Sequence, residues 1–235
     1  MCGRYATTRS SGELSALFES SDDTDGGVGP DHNVAPTDRV PLVRVTPEGH
    51  RTLCVGRWGF LPHWSRSAAG AARMINARSE TVATSRAYAG AFARRRCLVP
   101  ADGWYEWVRR PDGGRQAYYM TPADGSVLAL AGIWSVWESD AEARLTFSVL
   151  TTAALGELAE VHDRMPVLLP PDRWSSWLAP SDEPDLLTPP EVDLLTGLEI
   201  RPVGPAVGDV RNDGPQLIAR VSVAPAVTPQ ELTLF

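Results

Sequence analysis

The stretch 97-CLVPADGWYEWVRRPDGGRQAYYMTPADGSVLALAGIW-134 decides the expected fold. It holds four short apolar and aromatic segments, at 97–99, 104–108, 117–120 and 127–134. Turn-forming sequences, Pro111-Asp112-Gly113-Gly114 and Asp124-Gly125, interrupt them. Short segments of this composition, bounded by such turns, predict β-strands. The stretch therefore predicts a sheet-rich domain.

The sequence on both sides of this stretch continues the pattern and adds a few helices. The other segments typical of strands are 40–45, 52–58, 145–151, 166–169 and 198–203. A first helix is expected from Ser10, which can form a capping box with Glu13, and further helices at 79–95, 155–161, 172–178 and 189–195. Many short strands with few helices predict an α+β fold: a single domain over residues 1–222 with a largely antiparallel, barrel-like β-sheet core and a few flanking helices.

The composition fits an ordinary globular chain. It has 235 residues, of which 43% are hydrophobic and 22% charged, which excludes disorder, collagen and coiled coil as overall descriptions. No apolar run approaches the roughly 20 residues of a membrane helix, and residues 1–13 lack the hydrophobic segment of a secretory signal. A cytoplasmic protein with no membrane association is expected. The three cysteines match no zinc spacing, and no cofactor motif is visible, so neither a metal nor a cofactor is expected.

The net charge of −7 by itself argues against a nucleic-acid partner. The charge is uneven, however: between Arg39 and Arg115 there are 14 basic and 5 acidic side chains, whereas residues 121–235 hold 6 and 17. Every basic residue is arginine, which codon bias in a GC-rich genome explains, although arginine also suits bidentate phosphate contacts. The sequence therefore leaves room for a local DNA-binding surface on an acidic protein.

Cys2 is the first candidate for chemistry. With Met1 removed, Cys2 would carry a thiol and a free α-amine, whose ordinary pKa values near 8.5 and 7.7–8.0 leave a fraction of each unprotonated at neutral pH. The thiol could attack an acyl group, as in amidohydrolases with an N-terminal nucleophile. Alternatively, the amine could form a Schiff base with an aldehyde, which the thiol closes into a thiazolidine. The third interpretation is that Cys2 is an ordinary residue early in a strand.

Three further segments place polar residues in apolar or aromatic surroundings. Asn76 and Arg78 precede an expected helix start, where they could hold an anion or cap the helix. Glu106 shares a strand face with Trp104, so either that face is wet or the carboxyl is desolvated and suited to proton transfer. His162, at a helix-to-strand boundary, is compatible with a site or with a structural role. None of these segments decides the matter alone.

Taken together, several segments resemble the SOS-response-associated peptidase (SRAP) family, the abasic-site-processing proteins. Their order along the chain is that of the family, and the resemblance covers residues 1 to about 212. The matching segments are MCGRY (1–5), NVAP (33–36), RWGFLP (57–62), INARSET (75–81), RCLVPADGWYEW (96–107), LTT (150–152), HDRMP (162–166) and VGDVRN (207–212).

The resemblance implies a domain that binds single-stranded DNA and captures the aldehyde of an abasic site through Cys2 as a covalent thiazolidine. It implies that Asn76 orients the reacting groups, that Glu106 acts as acid and base, and that His162 assists proton transfer. The residues implied to complete the pocket or to contact DNA are Thr151, Arg4, Asn33, Arg78 and Arg164, with Trp58 or Trp64 stacking at the lesion. A monomer associated with the nucleoid or replication fork is expected.

Two other function classes stay open. The family's peptidase label implies that Cys2 acts on an amide, as in a cysteine peptidase or amidohydrolase, including processing of residues ahead of Cys2. A noncatalytic single-strand-binding module would not need Cys2 at all.

The tail at 223–235 carries a separate signal. It ends Gln230-Glu231-Leu232-Thr233-Leu234-Phe235 and resembles the short peptides that dock into bacterial sliding clamps, with Gln230, Leu232, Leu234 and Phe235 as the contacts. Packing of the tail as an edge strand is the alternative.

Overall fold

A computed structural model describes residues 2–139, 142–180 and 195–222 of the chain. The expected clamp-binding tail and nearly all of the expected helix at 189–195 lie outside these residues. The strands of the described part are β1 Tyr5–Thr7, β2 Ser21–Asp23, β3 Asp31–Val34, β4 Arg39–Val45, β5 Arg51–Trp58, β6 Asn76–Arg78, β7 Arg96–Ala101, β8 Gly103–Arg109, β9 Arg115–Pro122, β10 Leu128–Glu138, β11 Ala143–Ala153, β12 Arg164–Pro166 and β13 Leu198–Val203. The helices there are α1 Ser11–Phe18, α2 Ser79–Val82, α3 Ala89–Arg94, α4 Leu158–Val161 and α5 Trp174–Leu178.

Five strands close into a barrel. β11, β10, β7, β4 and β5 pair antiparallel in that order. β5 then pairs in parallel with β11, where Trp58 lies opposite Phe147, and this pairing closes the ring. The expectation of an α+β fold with a barrel-like sheet is confirmed, and closure removes two exposed sheet edges.

A second sheet lies against the barrel. Its strand order is β13-β9-β8-β1-β3, and every neighbouring pair in it is antiparallel. Large side chains of both sheets, such as Tyr5, Trp104, Leu42 and Phe147, form one buried cluster. The main core therefore runs from the barrel interior to the inner face of the second sheet.

Helices cover the outside of the barrel. Phe18 of α1, Phe92 of α3 and Trp177 of α5 share a second buried cluster with outward-facing barrel residues. The start of α1 is as expected: Ser10 accepts a hydrogen bond from the Glu13 amide, and the Glu13 carboxylate accepts one from the Ser10 amide. No helix of the described residues is both long and apolar enough to span a membrane.

The expected helix at 79–95 is wrong in its length, because the structure divides it into α2 and α3. Between them the Thr84 hydroxyl donates to the Thr81 carbonyl oxygen, a local bond that competes with helix continuation. The expected helix at 155–161 begins only at Leu158, after Gly156 at a φ of 55°. β1, β2, β3 and β6 were not anticipated, since segments of three or four residues carry too little periodicity.

Candidate active site

Cys2 leads into β1 and is fully buried in the core that joins the barrel to the second sheet. Burial, with a smaller contribution from the charge of Glu106, raises the pKa of the Cys2 thiol well above its ordinary value. The thiol is therefore protonated at neutral pH. Chemistry that begins with a free thiolate is disfavoured in this environment.

Asn76 holds the Cys2 backbone. Its Nδ2 donates a hydrogen bond of 2.7 Å to the Cys2 carbonyl oxygen, and its Oδ1 is buried without a hydrogen-bond partner among the described residues. Asn76 occupies this place because β6 pairs in parallel with β11, Asn76 opposite Val149. Ala77 packs into the cluster outside the barrel, so by strand alternation Asn76 and Arg78 face the opposite side.

Glu106 lies in β8 opposite Tyr118 and is 3% exposed. Of the two interpretations of this strand face, the structure shows the desolvated one, with Trp104 in the core beside it. Burial raises the pKa of the Glu106 carboxyl to about 7. A carboxyl that titrates there can both give and take a proton at neutral pH.

His162 follows α4, and its imidazole meets different groups on its two nitrogens. Nε2 lies 3.9 Å from Glu106 Oε2, while Nδ1 lies 2.9 Å from the Arg164 backbone N–H, which donates to it. Asp163 Oδ1 is 2.8 Å from the same Nδ1. Partial burial is the largest cause that lowers the pKa of His162 below its ordinary value. A neutral ring with Nδ1 accepting from Arg164 carries its proton on Nε2, toward Glu106.

Thr151 and Arg164 border this group. Thr151 lies in β11 between Arg78 of β6 and Pro166 of β12, and it is buried. The Arg164 guanidinium donates to the Thr151 carbonyl oxygen at 2.5 Å and forms a two-point ion pair with Glu80, at 2.5 and 2.9 Å. Arg78, immediately before α2, is exposed.

Arg4 and Asn33 are joined to each other beside the second sheet. Arg4 Nη1 donates to Asn33 Oδ1 at 2.6 Å and to the Val207 carbonyl oxygen at 2.9 Å. Asn33 Nδ2 donates to the carbonyl oxygens of Asp209 and Asn212. These bonds join the residue before β1 and strand β3 to residues 207–212. The late segment VGDVRN therefore contacts the early segments MCGRY and NVAP in the folded protein. The amide of Asn33 is thus engaged inside the protein.

The two candidate stacking tryptophans differ sharply in exposure. Trp58 is fully buried, packs edge-on against Tyr5 at 5.1 Å and donates through Nε1 to the Ile75 carbonyl oxygen. This hydrogen bond fixes the backbone immediately before Asn76. Trp64 is 53% exposed, with the Arg86 guanidinium 5.5 Å from its ring centroid. Of the pair, Trp64 is the one with a ring available to a nucleobase.

The structure adds two features that the sequence did not single out. A cavity of about 410 Å³ adjoins the residues after Cys2, lined by Gly3, Arg4, Trp107, Arg115, Pro205 and Gly208. The sequence signal for this cavity was strand alternation in β8, which places Trp107 on the face of the strand that does not carry Glu106. The other feature is Glu80. Nothing in the sequence around it indicated that its carboxylate would form an ion pair with Arg164. Within the described residues, no group of three or more His, Cys, Asp or Glu side chains could hold a metal ion.

Comparison with known proteins gives consistent matches. The sequence profile of the SOS response associated peptidase (SRAP) family matches residues 1–210. The chain is 31% identical to the abasic site processing protein YedK of Escherichia coli over 228 residues, covering 94% of this chain and 100% of YedK. It is 28% identical to the abasic site processing protein YoqW of Bacillus subtilis, over 93% of this chain and 99% of YoqW. A crystal structure of a protein from Bacteroides thetaiotaomicron shares the fold, with a TM-score of 0.81, 22% identity, and coverage of 94% of this chain and 100% of that one.

Proposed function

Because the chain belongs to the SOS response associated peptidase (SRAP) family, we propose that it processes abasic sites in single-stranded DNA by covalent capture at Cys2. The similar proteins YedK and YoqW are named abasic site processing proteins. The observation that carries the proposal is the convergence of Asn76, Glu106 and His162 around Cys2. These groups supply a hydrogen bond to Cys2, a carboxyl titrating near neutrality and a neutral imidazole.

The proposed reaction starts from the amine that removal of Met1 would leave on Cys2. The sugar of an abasic site opens to a C1′ aldehyde, and the Cys2 amine adds to that carbon and expels one water to form an imine. The Sγ–C1′ bond then forms, and the thiol proton passes to the imine nitrogen, which gives the thiazolidine. The sequence of steps suits a buried, protonated thiol, because the thiol reacts only after the amine has brought the carbon beside it.

The surrounding groups have roles that their geometry supports. Glu106, with a pKa of about 7, gives a proton to the sugar ring oxygen as the ring opens and takes it back later. His162 lies on the same side, with Nε2 3.9 Å from the carboxyl, close enough to share a bound sugar oxygen with it. Asn76 fixes the Cys2 carbonyl, and its buried Oδ1 is available to the amine. Hydrogen bonding by Asn76 would then aim the amine at the aldehyde.

The DNA strand would lie along the exposed residues around this group. Arg78 and Trp64 are the exposed cation and aromatic ring among the expected contacts, suited to a phosphate and a base. Arg4 borders the cavity beside Gly3, while Thr151 and Arg164 border His162. Asn33 and Trp58 would act through the residues that they support. Clamp binding by residues 230–235 and association with the replication fork remain proposals.

The test is crosslinking of purified protein, with Met1 removed, to an abasic oligonucleotide. We expect a heat-stable adduct from the wild type and none from Cys2→Ala or from protein that retains Met1. Cys2→Ser is the matched control: like Cys2→Ala it keeps the α-amine, so borohydride should trap the imine of either variant, but without borohydride neither adduct should survive heating. Absence of an adduct from correctly processed wild-type protein would refute the proposal.

The alternative is an amide-cleaving enzyme with Cys2 as nucleophile, which the family's description as a peptidase supports. It predicts turnover of a peptide extending ahead of Cys2, with the same loss in Cys2→Ala. The raised pKa of the Cys2 thiol weighs against it, because the thiolate would have to form first. Turnover by wild-type protein without any DNA adduct would favour this alternative.

A further inference from the structure

The ion pair between Glu80 and Arg164 lies beside the candidate active site and has no part in the reaction proposed above. Both Arg164 nitrogens of the fork, Nη1 and Nη2, contact the two Glu80 oxygens, and Nη2 also donates to the Thr151 carbonyl oxygen. The Arg164 side chain is only 15% exposed. A planar guanidinium held at three acceptors has little freedom to move.

The backbone of Arg164 continues this contact to His162. Its N–H donates to His162 Nδ1 at 2.9 Å, and an Nδ1 that accepts this bond leaves the ring proton on Nε2. Asp163 Oδ1, 2.8 Å from Nδ1, can bind the ring only when Nδ1 carries a proton. The two partners of Nδ1 therefore compete, and the one that is better anchored decides the tautomer.

We infer that Glu80 is a positioning residue: its ion pair with Arg164 anchors the amide that holds His162 Nδ1, and so keeps Nε2–H directed at Glu106. The inference rests on the proposed function for its catalytic consequence. The anchor links three elements, because Glu80 belongs to α2, Arg164 to β12 and Thr151 to β11. Without Glu80 the segment from His162 to Arg164 loses its attachment to α2, and Asp163 Oδ1, already 2.8 Å from Nδ1, becomes the stronger of the two partners.

The first measurement needs no DNA. The 15N shifts of the His162 imidazole report its tautomer directly, and we expect the Nε2-protonated form in the wild type and a mixed population in Glu80→Gln. The groups that face the ring are Glu106 on the Nε2 side and Asp163 and Arg164 on the Nδ1 side, and the charge of the amino terminus also lowers its pKa. An unchanged tautomer in Glu80→Gln and Glu80→Ala would overturn the inference.

The second measurement separates positioning from DNA contact. Misplacement of a reacting group by about 1 Å can cost on the order of 100-fold in rate, so we expect crosslinking by Glu80→Gln to be slower by at least about 10-fold. Its affinity for an oligonucleotide with a tetrahydrofuran abasic analogue should stay within about 2-fold of the wild type. Arg164→Lys, which keeps the cation but not the fork, should show the same slower crosslinking and the same mixed His162 tautomer.

The matched control is Glu160→Gln, which removes one exposed carboxylate two residues from His162 and should leave rate and affinity unchanged. Thermal unfolding of every variant shows that it is folded. Tighter binding by Glu80→Gln at an unchanged rate would mean that Glu80 competes with phosphate for Arg164, and would also overturn the inference. Failure of the wild type to crosslink would instead refute the proposed function and leave the tautomer measurement valid.

Discussion

At Glu106, the burial that suits the carboxyl for proton transfer also costs folding free energy. In an unfolded chain the carboxyl has an ordinary pKa of 4.5, and in the folded protein burial raises it to about 7. The folded state therefore binds more protons between these two values, so this group's contribution to stability is complete below about pH 4.5 and is lost as the pH rises through 7. The carboxyl suited to proton transfer near pH 7 therefore lowers the free energy of unfolding at and above that pH.

Glu106→Gln should remove this dependence. A shift of the pKa from 4.5 to about 7 corresponds to roughly 3 kcal/mol, so the free energy of unfolding of the variant, relative to the wild type, should rise by up to that amount between pH 4.5 and pH 8. Chemical denaturation at a series of pH values measures it. Glu138→Gln, on an exposed glutamate at the end of β10, is the control. A constant difference between Glu106→Gln and wild type across this range would contradict the prediction.

The same substitution should affect the reaction through proton transfer. Loss of a general acid typically slows a reaction by 100- to 10,000-fold, and we expect Glu106→Gln to slow crosslinking within that range. Where opening of the sugar ring limits the rate, the wild-type rate should fall as the pH rises through about 7, because the carboxyl then loses the proton that it gives to the sugar oxygen. Single-turnover rates from pH 5 to pH 9 test both statements. If the rate of Glu106→Gln falls above pH 7 as the wild-type rate does, the fall is caused by a group other than Glu106.

At the scale of elements, β8 matters most because it carries Glu106 and packs tightly from its first residue. A Cβ on Gly103 would clash with the Met120 carbonyl oxygen and lie 2.6 Å from a Tyr119 ring carbon. Both neighbours belong to β9, so the strand pair that positions Glu106 permits only glycine at this point.

Gly103→Ala should therefore destabilise the protein by about 1–3 kcal/mol, the usual range for overpacking, and slow crosslinking by displacing β8. Urea denaturation and the single-turnover rate check the two effects. Gly12→Ala is the matched control, because a Cβ at this position in α1 meets nothing within 4 Å and alanine is the better helix former. Equal stabilities of the two variants would show that β8 and β9 can separate without loss.

At the scale of the whole molecule, the uneven charge distribution sets the mode of DNA binding. The net charge is −7, yet Arg78 lies in the arginine-rich part of the chain and is exposed beside the candidate site. Noncovalent binding of undamaged DNA should therefore be weak and strongly salt-dependent. Retention of the lesion would depend on the covalent bond.

Each phosphate contact contributes about 0.7 to the slope of log affinity against log salt for a single strand. Arg78→Gln should reduce that slope by about this amount, whereas Arg94→Gln, on an exposed arginine of α3, should leave it unchanged. Fluorescence anisotropy with an undamaged oligonucleotide between 50 and 300 mM salt would measure it. Equal slopes for the two variants would remove Arg78 from the DNA contacts.

The sequence by itself determined the α+β class and the antiparallel hairpin of β8 and β9, because alternation and turn residues are local. Its resemblance to the family singled out Cys2, Asn76, Glu106 and His162 as candidates. Only the tertiary structure decided that the barrel closes through the parallel contact of β5 with β11, that Trp58 is buried while Trp64 is exposed, and that Glu106 is desolvated. It also revealed the pairing of Arg164 with Glu80. These properties depend on contacts between residues far apart in the chain, and no local pattern encodes which distant side chain will supply the partner or exclude the water.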